Sequence, residues 1–392
     1  MKKTIPWIFL TFGIIFSTII WGYISVPYDS SNSINGQYSL NKIHPLNDTL
    51  RGLFFIFFPL SLYFIAFIKF NKELITKKIF QSKKIFSNKN IDNLCIILIV
   101  FSILEFYSLN YNNFLGSIDV HHEGTFLTAQ LNYFSKNQIW TGTFFDYGFL
   151  GNSIGIFSNS LFDGYSIGIQ RFFFKSLILL NKVLIILICR KIIISIHFTS
   201  KKEILFLIFS LSSITLASFY EHVTPFHPRI FIYLIFTLLV FNIVTAKNNS
   251  YVVSFLAGFF SLLSILFYWD IGTYINVLLI IFLLYLFFIK NYGNFYSIIL
   301  GILSSWIIFF IFIPGSEIKE FFNQYFIIIN VSDYLIGIEF PKPFSDKSTR
   351  HTKALLLIIL SGVFLINYIF DKLKDESLES KFLLFFIFIS SI

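Results

Sequence analysis

The chain has 392 residues, 56% of them hydrophobic and 13% charged, with a formal net charge of +9. Mean hydropathy is +0.75, and apolar runs this long and dense exclude an ordinary soluble globular domain. The positive balance is not that of a nucleic-acid binder: no basic-aromatic module gathers it, and the lysines and arginines stand between apolar runs instead.

In chain order, Lys2 and Lys3 precede an apolar run over 5–24. It is long enough to span a bilayer and no small-residue cleavage pattern follows, so a retained first span is expected rather than a signal peptide. Further spans are expected over 53–68, 91–109, 172–189, 205–219, 230–244, 252–269, 271–289, 296–313 and 354–370. A partial eleventh starts near Phe382. The expected fold is therefore an all-α polytopic membrane protein of about 10–11 transmembrane helices. Residues 1–392 read as a single transmembrane domain: three spans over 1–109, an outer loop over 110–171, and the remaining spans over 172–392. Because the last apolar run is cut at Ile392, the sequence reads as truncated there. Cys95 and Cys189 lie in apolar runs and form no disulfide framework or zinc spacing.

Charge sets the expected orientation. Basic residues recur in alternate connections: Lys2 and Lys3; seven lysines from Lys69 to Lys89; Arg190, Lys191, Lys201 and Lys202; Lys247; Lys290; and Lys372, Lys374 and Lys381. The positive-inside rule then places the N-terminus in the cytoplasm and segments 25–51, 110–171, 220–229, Asp270 and 314–353 outside, in a bacterial plasma (inner) membrane.

The longest outer segment carries most of the candidate chemistry. DVHHEGTF (119–126) places Asp119, His121, His122 and Glu123 just beyond the third span. If this stretch is helical, Asp119 and Glu123 are four apart and share a face with His122. Two close carboxylates in a partly dry site hold one proton more tightly, which suits a general base near neutral pH. A short helix lying on the membrane is expected over 127–134. Then follows GTFFDYGFLGNSIG (142–155), with Asp146 among glycines that allow close backbone packing. Other outer clusters are YEHVTPFHPR, with Glu221, His222, His227 and Arg229, and YWDIG, with Asp270. Lys182 falls midway along the fourth expected span, where a charge costs about 2.5–3.5 kcal/mol to insert and usually faces a protein interior or a wet cavity. The plainer interpretations carry weight. An acid at a span end, such as Glu105, is most often solvated or ion-paired. Lys182 can snorkel. Adjacent histidines point apart on a helix, and no HExxH zinc motif is present, so no metal site is assigned.

The stretch DVHHEGTFLTAQLNYFSKNQIWTGTFFDYG, with HPR at 227–229 and WDIG at 269–272, resembles the GT-C superfamily of polytopic glycosyltransferases. These use polyprenyl-phosphate sugars, as protein mannosyltransferases and aminoarabinose transferases do. The resemblance covers roughly residues 110–272. It implies a sugar donor linked to a membrane lipid, an acceptor glycan, lipid or protein, and an active site on the outer, periplasmic face. Asp119 would be the general base, Glu123 would assist it, and Asp146 would position a substrate. His122, Glu221, His222, His227, Arg229, Asp270 and Lys182 would bind substrate or phosphate. The lipid-linked donor would be a co-substrate, no cofactor is implied, and a need for a divalent metal is left open. The chain departs from the family pattern in placing its acid after the third span rather than the first. A transporter or flippase for a lipid-linked or anionic solute is the alternative of another class; it calls for polar groups through the whole bilayer thickness. An O-antigen polymerase or ligase is a further alternative, with its main outer loop expected late in the chain.

Overall fold

The computed structural model describes residues 4–29, 36–70, 88–107, 122–136, 138–145, 148–151, 167–195, 202–218, 226–246, 250–336, 339–347, 349–371, 382 and 386. Among these the secondary structure is helical, with no strand. Six helices are long and apolar enough to cross a membrane: Ile5–Tyr23, Leu46–Phe70, Lys89–Tyr107, Trp269–Phe288, Tyr292–Phe312 and Arg350–Asn367. This fits the expected all-α polytopic membrane architecture. The other four complete expected spans coincide with helices that are shorter, or that carry more charge: Ile167–Ser195, Lys202–Ser218, Phe226–Thr245 and Tyr251–Phe267. Side chains such as Phe288 and Phe312, each 76% exposed, give these helices the apolar surface that a membrane span requires.

Contacts divide the chain into two compact units. The first combines residues 1–83 with 329–392. Here α1 (Ile5–Ile20) and α13 (Thr349–Asp371) both pack on α3 (Leu46–Phe70). Tyr63 of α3 and the Asn367 amide of α13 are hydrogen-bonded at 2.8–3.0 Å. Helix α3 begins seven residues before the apolar run because its polar first turns are used internally. Asp48 accepts hydrogen bonds from the Tyr38 hydroxyl and, at 3.0 Å, from the Phe340 N–H. Arg51 donates to the Ile24 carbonyl at 2.9 Å and to Glu339 at 2.8 Å. Tyr38 lies on the short helix α2 (Gln37–Leu40).

The second unit covers residues 84–328. Helices α4 (Asn88–Tyr107), α6 (Ile167–Ser195) and α7 (Lys202–Ser218) pack together. Their shared core holds Ile91, Cys95, Ile186, Cys189 and Phe206. Helix α8 (Phe226–Thr245) joins α6 to α9 (Tyr251–Phe267) and α10 (Trp269–Phe288), and α9 packs on α11 (Tyr292–Phe312). Helix α5 (His122–Lys136) contains the short helix expected over 127–134. Helix α12 (Gly315–Ile336) contributes its residues through Ile328 to this unit.

Small residues fix the α9–α11 contact, as they do between helices in lipid, where apolar burial alone does not favour one partner over another. A Cβ on Gly258 would stand 2.0 Å from the Ile298 carbonyl oxygen, and one on Gly301 would stand 2.1 Å from that of Phe255. Gly258→Ala is therefore expected to force the backbones apart and to destabilise by about 1–3 kcal/mol. Thermal unfolding in detergent checks this. Gly52→Ala, where nothing lies within 4 Å of the added carbon and alanine favours the helix, is the control expected not to lower the midpoint.

Candidate functional site

The corner between α9 and α10 organises one end of the second unit. Tyr268 breaks the helix in extended conformation (φ −151°), and α10 starts at Trp269 with Asp270 in its first turn. A carboxylate there is stabilised by the helix dipole. Arg229, in the first turn of α8, meets it: Nη2 lies 3.1 Å from Asp270 Oδ2. The guanidinium also sits over the fully buried Tyr268 ring, 5.1 Å from its centroid. The Asp270 side chain is 55% exposed and that of Arg229 21%, so the pair opens outward on the acidic side. Two residues proposed from separate sequence motifs are thus brought together.

The glycine-rich segment before α6 packs on the same corner. Trp269 Nε1 donates to the Phe145 carbonyl at 2.8 Å. Gly148 has φ +139°, and a Cβ on it would fall 2.6 Å from the Phe267 carbonyl oxygen; for Gly151 the figure is 2.5 Å. Both the left-handed backbone and the close approach demand glycine. Trp140 and Phe145 are buried in one cluster with Leu262, Ile265, Trp269, Phe309 and Phe321.

Two residues of α12 tie this segment down. Glu317 accepts from the Trp140 N–H, from the Thr141 N–H at 3.1 Å, and from the Thr141 hydroxyl. Gln324 donates to the Trp140 and Thr143 carbonyls at 2.9 and 2.8 Å and accepts from the Phe145 N–H at 3.3 Å. Burial pushes the Glu317 carboxyl up, but the hydrogen bonds from Thr141, Trp140 and Ile139 outweigh it and hold the pKa below the ordinary value. Neither residue is among the sequence candidates. The available signal was spacing: Glu317, Phe321 and Gln324 stand at i, i+4 and i+7, so the buried stripe of α12 contains two polar side chains.

Lys182 is buried and paired with Glu105 of α4 at 2.9 Å, with side chains 6% and 51% exposed. Along the same two helices Arg190 and Asp92 pair at 2.7 Å. Asp119, His121, Asp146, Glu221 and His222 lie outside the described residues. His122 and Glu123 occupy the first turn of α5, and His227 that of α8, but their side chains also lie outside them. Among the described residues, no group of three His, Cys, Asp or Glu could hold a metal ion.

The chemistry available at the corner is anion recognition. A planar guanidinium, held by an aromatic face and balanced by a half-exposed carboxylate, can exchange that carboxylate for a phosphate oxygen. Comparison with known proteins finds no family, no curated protein and no solved structure that matches the chain.

Proposed function

We propose that the chain is a membrane glycosyltransferase of GT-C type, moving a sugar from a polyprenyl-phosphate donor to an acceptor on the outer face of the membrane. The observation that supports this best is the Arg229–Asp270 pair, at the corner on which the segment leading to Asp146 packs. In the reaction, an acceptor hydroxyl gives its proton to the Asp119 carboxylate as its oxygen bonds to the anomeric carbon. The bond from that carbon to the phosphate oxygen breaks, and polyprenyl phosphate leaves with the electron pair. Glu123 assists the base, and Asp146 positions the sugar or acceptor. Arg229, with His227, offsets the charge growing on the phosphate. With the remaining spans over 167–267, the chain has about 10–11 transmembrane helices.

Membranes containing the full chain, supplied with radiolabelled polyprenyl-phosphate sugars, test the proposal. Labelled glycan, lipid or protein above membranes lacking the chain supports it. No transfer from any donor, together with solute flux across vesicles carrying the chain, overturns it in favour of a transporter. Arg229→Lys keeps the charge but loses the fork. It is expected to raise the apparent KM for the donor about tenfold, the worth of one charge-assisted hydrogen bond. Steady-state donor titrations check this.

A further inference from the structure

The segment EFPKPFSDK (339–347), in the first unit, sets prolines and phenylalanines among charges. Pro341 and Pro343 carry no N–H and fix their own φ, so the segment is stiff without being regular. It is tied to helices at both ends. The Phe340 N–H donates to Asp48, in the first turn of α3, at 3.0 Å, and the Phe340 ring stacks on His351 of α13 with centroids 4.7 Å apart. The Phe344 N–H donates to the Thr352 hydroxyl of α13 at 3.0 Å. Between these ties, the Ser345 N–H donates back to the Lys342 carbonyl at 3.2 Å. Phe344 is held at φ +63°, a left-handed backbone that a bulky residue rarely adopts and that persists only where the surroundings over-determine it. Yet the side chain presented by this strained backbone is not packed away: Phe344 is 57% exposed and Phe340 50%.

The same ties set the level of the segment. His351 and Thr352 are the second and third residues of the apolar helix Arg350–Asn367, and Asp48 is the third of Leu46–Phe70. The His351 ring also meets the buried Trp21, near the end of Ile5–Tyr23, with centroids 5.5 Å apart. Three helices apolar enough to span thus end at one level, which is where the hydrocarbon layer ends for all three. We propose that Phe340 and Phe344 sit in the interfacial layer of the bilayer, so that 339–347 is a loop gripping the lipid headgroups from the side. Aromatic rings favour that layer, and the exposed Lys342, Asp346 and Lys347 beside them keep their charges in water or among headgroups. Withdrawing the two rings from water also offsets the strain at Phe344. The proposal concerns the membrane alone and does not depend on sugar transfer.

Spin labels on Phe344→Cys and Asp346→Cys, each in the full chain reconstituted into phosphatidylcholine vesicles, are the experiment. Cys95 and Cys189 are buried, and wild type carried through the labelling gives the background. Collisions of each label with oxygen, which concentrates in lipid, are compared with collisions with a water-soluble nickel chelate. The oxygen-to-nickel ratio is expected to be several-fold higher for the Phe344→Cys label than for the Asp346→Cys label. Equal ratios overturn the proposal. So does dipolar broadening of the Phe344→Cys label that disappears on dilution with unlabelled chain, which puts a second copy rather than lipid against the loop. A second reading needs no substitution. A photoactivatable phosphatidylcholine is expected to label 339–347 in the wild-type chain. Labelling of Tyr292–Phe312 in the same sample with none in 339–347 overturns the proposal.

Discussion

Under the proposed transfer reaction, Asp119→Asn is expected to lower sugar transfer by about 10²–10⁴-fold, the usual contribution of a positioned general base. The substitution keeps the shape of the side chain and removes its ability to take a proton at neutral pH. Donor binding does not require that proton transfer, so the apparent KM for the donor is expected to stay near wild type while kcat falls. The acid limb of the pH–rate profile, where the base is lost to protonation, should vanish with it. Transfer by membranes matched for expression level measures all three. Wild-type transfer from a normally expressed Asp119→Asn chain would remove Asp119 from the mechanism.

The second large effect concerns Glu317. Glu317→Ala withdraws the acceptor for the Trp140 and Thr141 N–H groups and the Thr141 hydroxyl. Buried donors left without partners cost about 1–3 kcal/mol each. A destabilisation of about 3 kcal/mol is expected, with faster hydrogen exchange confined to residues 138–145. The pH dependence has a definite sign. The pKa of Glu317 in the folded chain is held below its ordinary value. Its stabilisation is therefore complete above the ordinary carboxylate pKa and is lost as pH falls through the lower folded value. Wild type should loosen in this segment in acid, and Glu317→Gln should lack that dependence. Hydrogen exchange measured at neutral and acid pH distinguishes the two chains. Exchange in 138–145 that is unaltered by Glu317→Ala would mean that Gln324 and the aromatic cluster hold the segment alone.

Helices were legible in the sequence wherever apolar side chains continued for a whole turn or more. Phe, Ile and Leu fill the α10 and α11 runs so evenly that hydropathy finds both to within a few residues. The start of α3 was not legible, because Asn47, Asp48 and Arg51 look like a solvated flank and are in fact buried against Val26, Tyr38 and Ile24. Those partners are distant in sequence, so no window average can detect them. The same reason hid Glu317, whose partners stand 176 and 177 residues away. The Arg229–Asp270 pair was half legible: each residue stood out as a charge at a span end, and only the fold joined them. Lys182 stood out as a buried charge, but its match with Glu105 depends on how α4 and α6 align, which spacing within either helix does not fix.

The hydrogen bonds of Gln324 bear on how deep an irregular chain can sit. Lipid offers no hydrogen bonds, and that ordinarily bars loops from the hydrocarbon layer. In the 140–145 segment one amide side chain answers two carbonyls and one N–H, a carboxylate answers two more N–H groups, and an indole answers a third carbonyl. These three side chains do for the backbone what water does elsewhere. The segment is thereby free to lie against Leu262, Ile265, Trp269, Phe309 and Phe321 as dry packing, without a helix or strand to carry it.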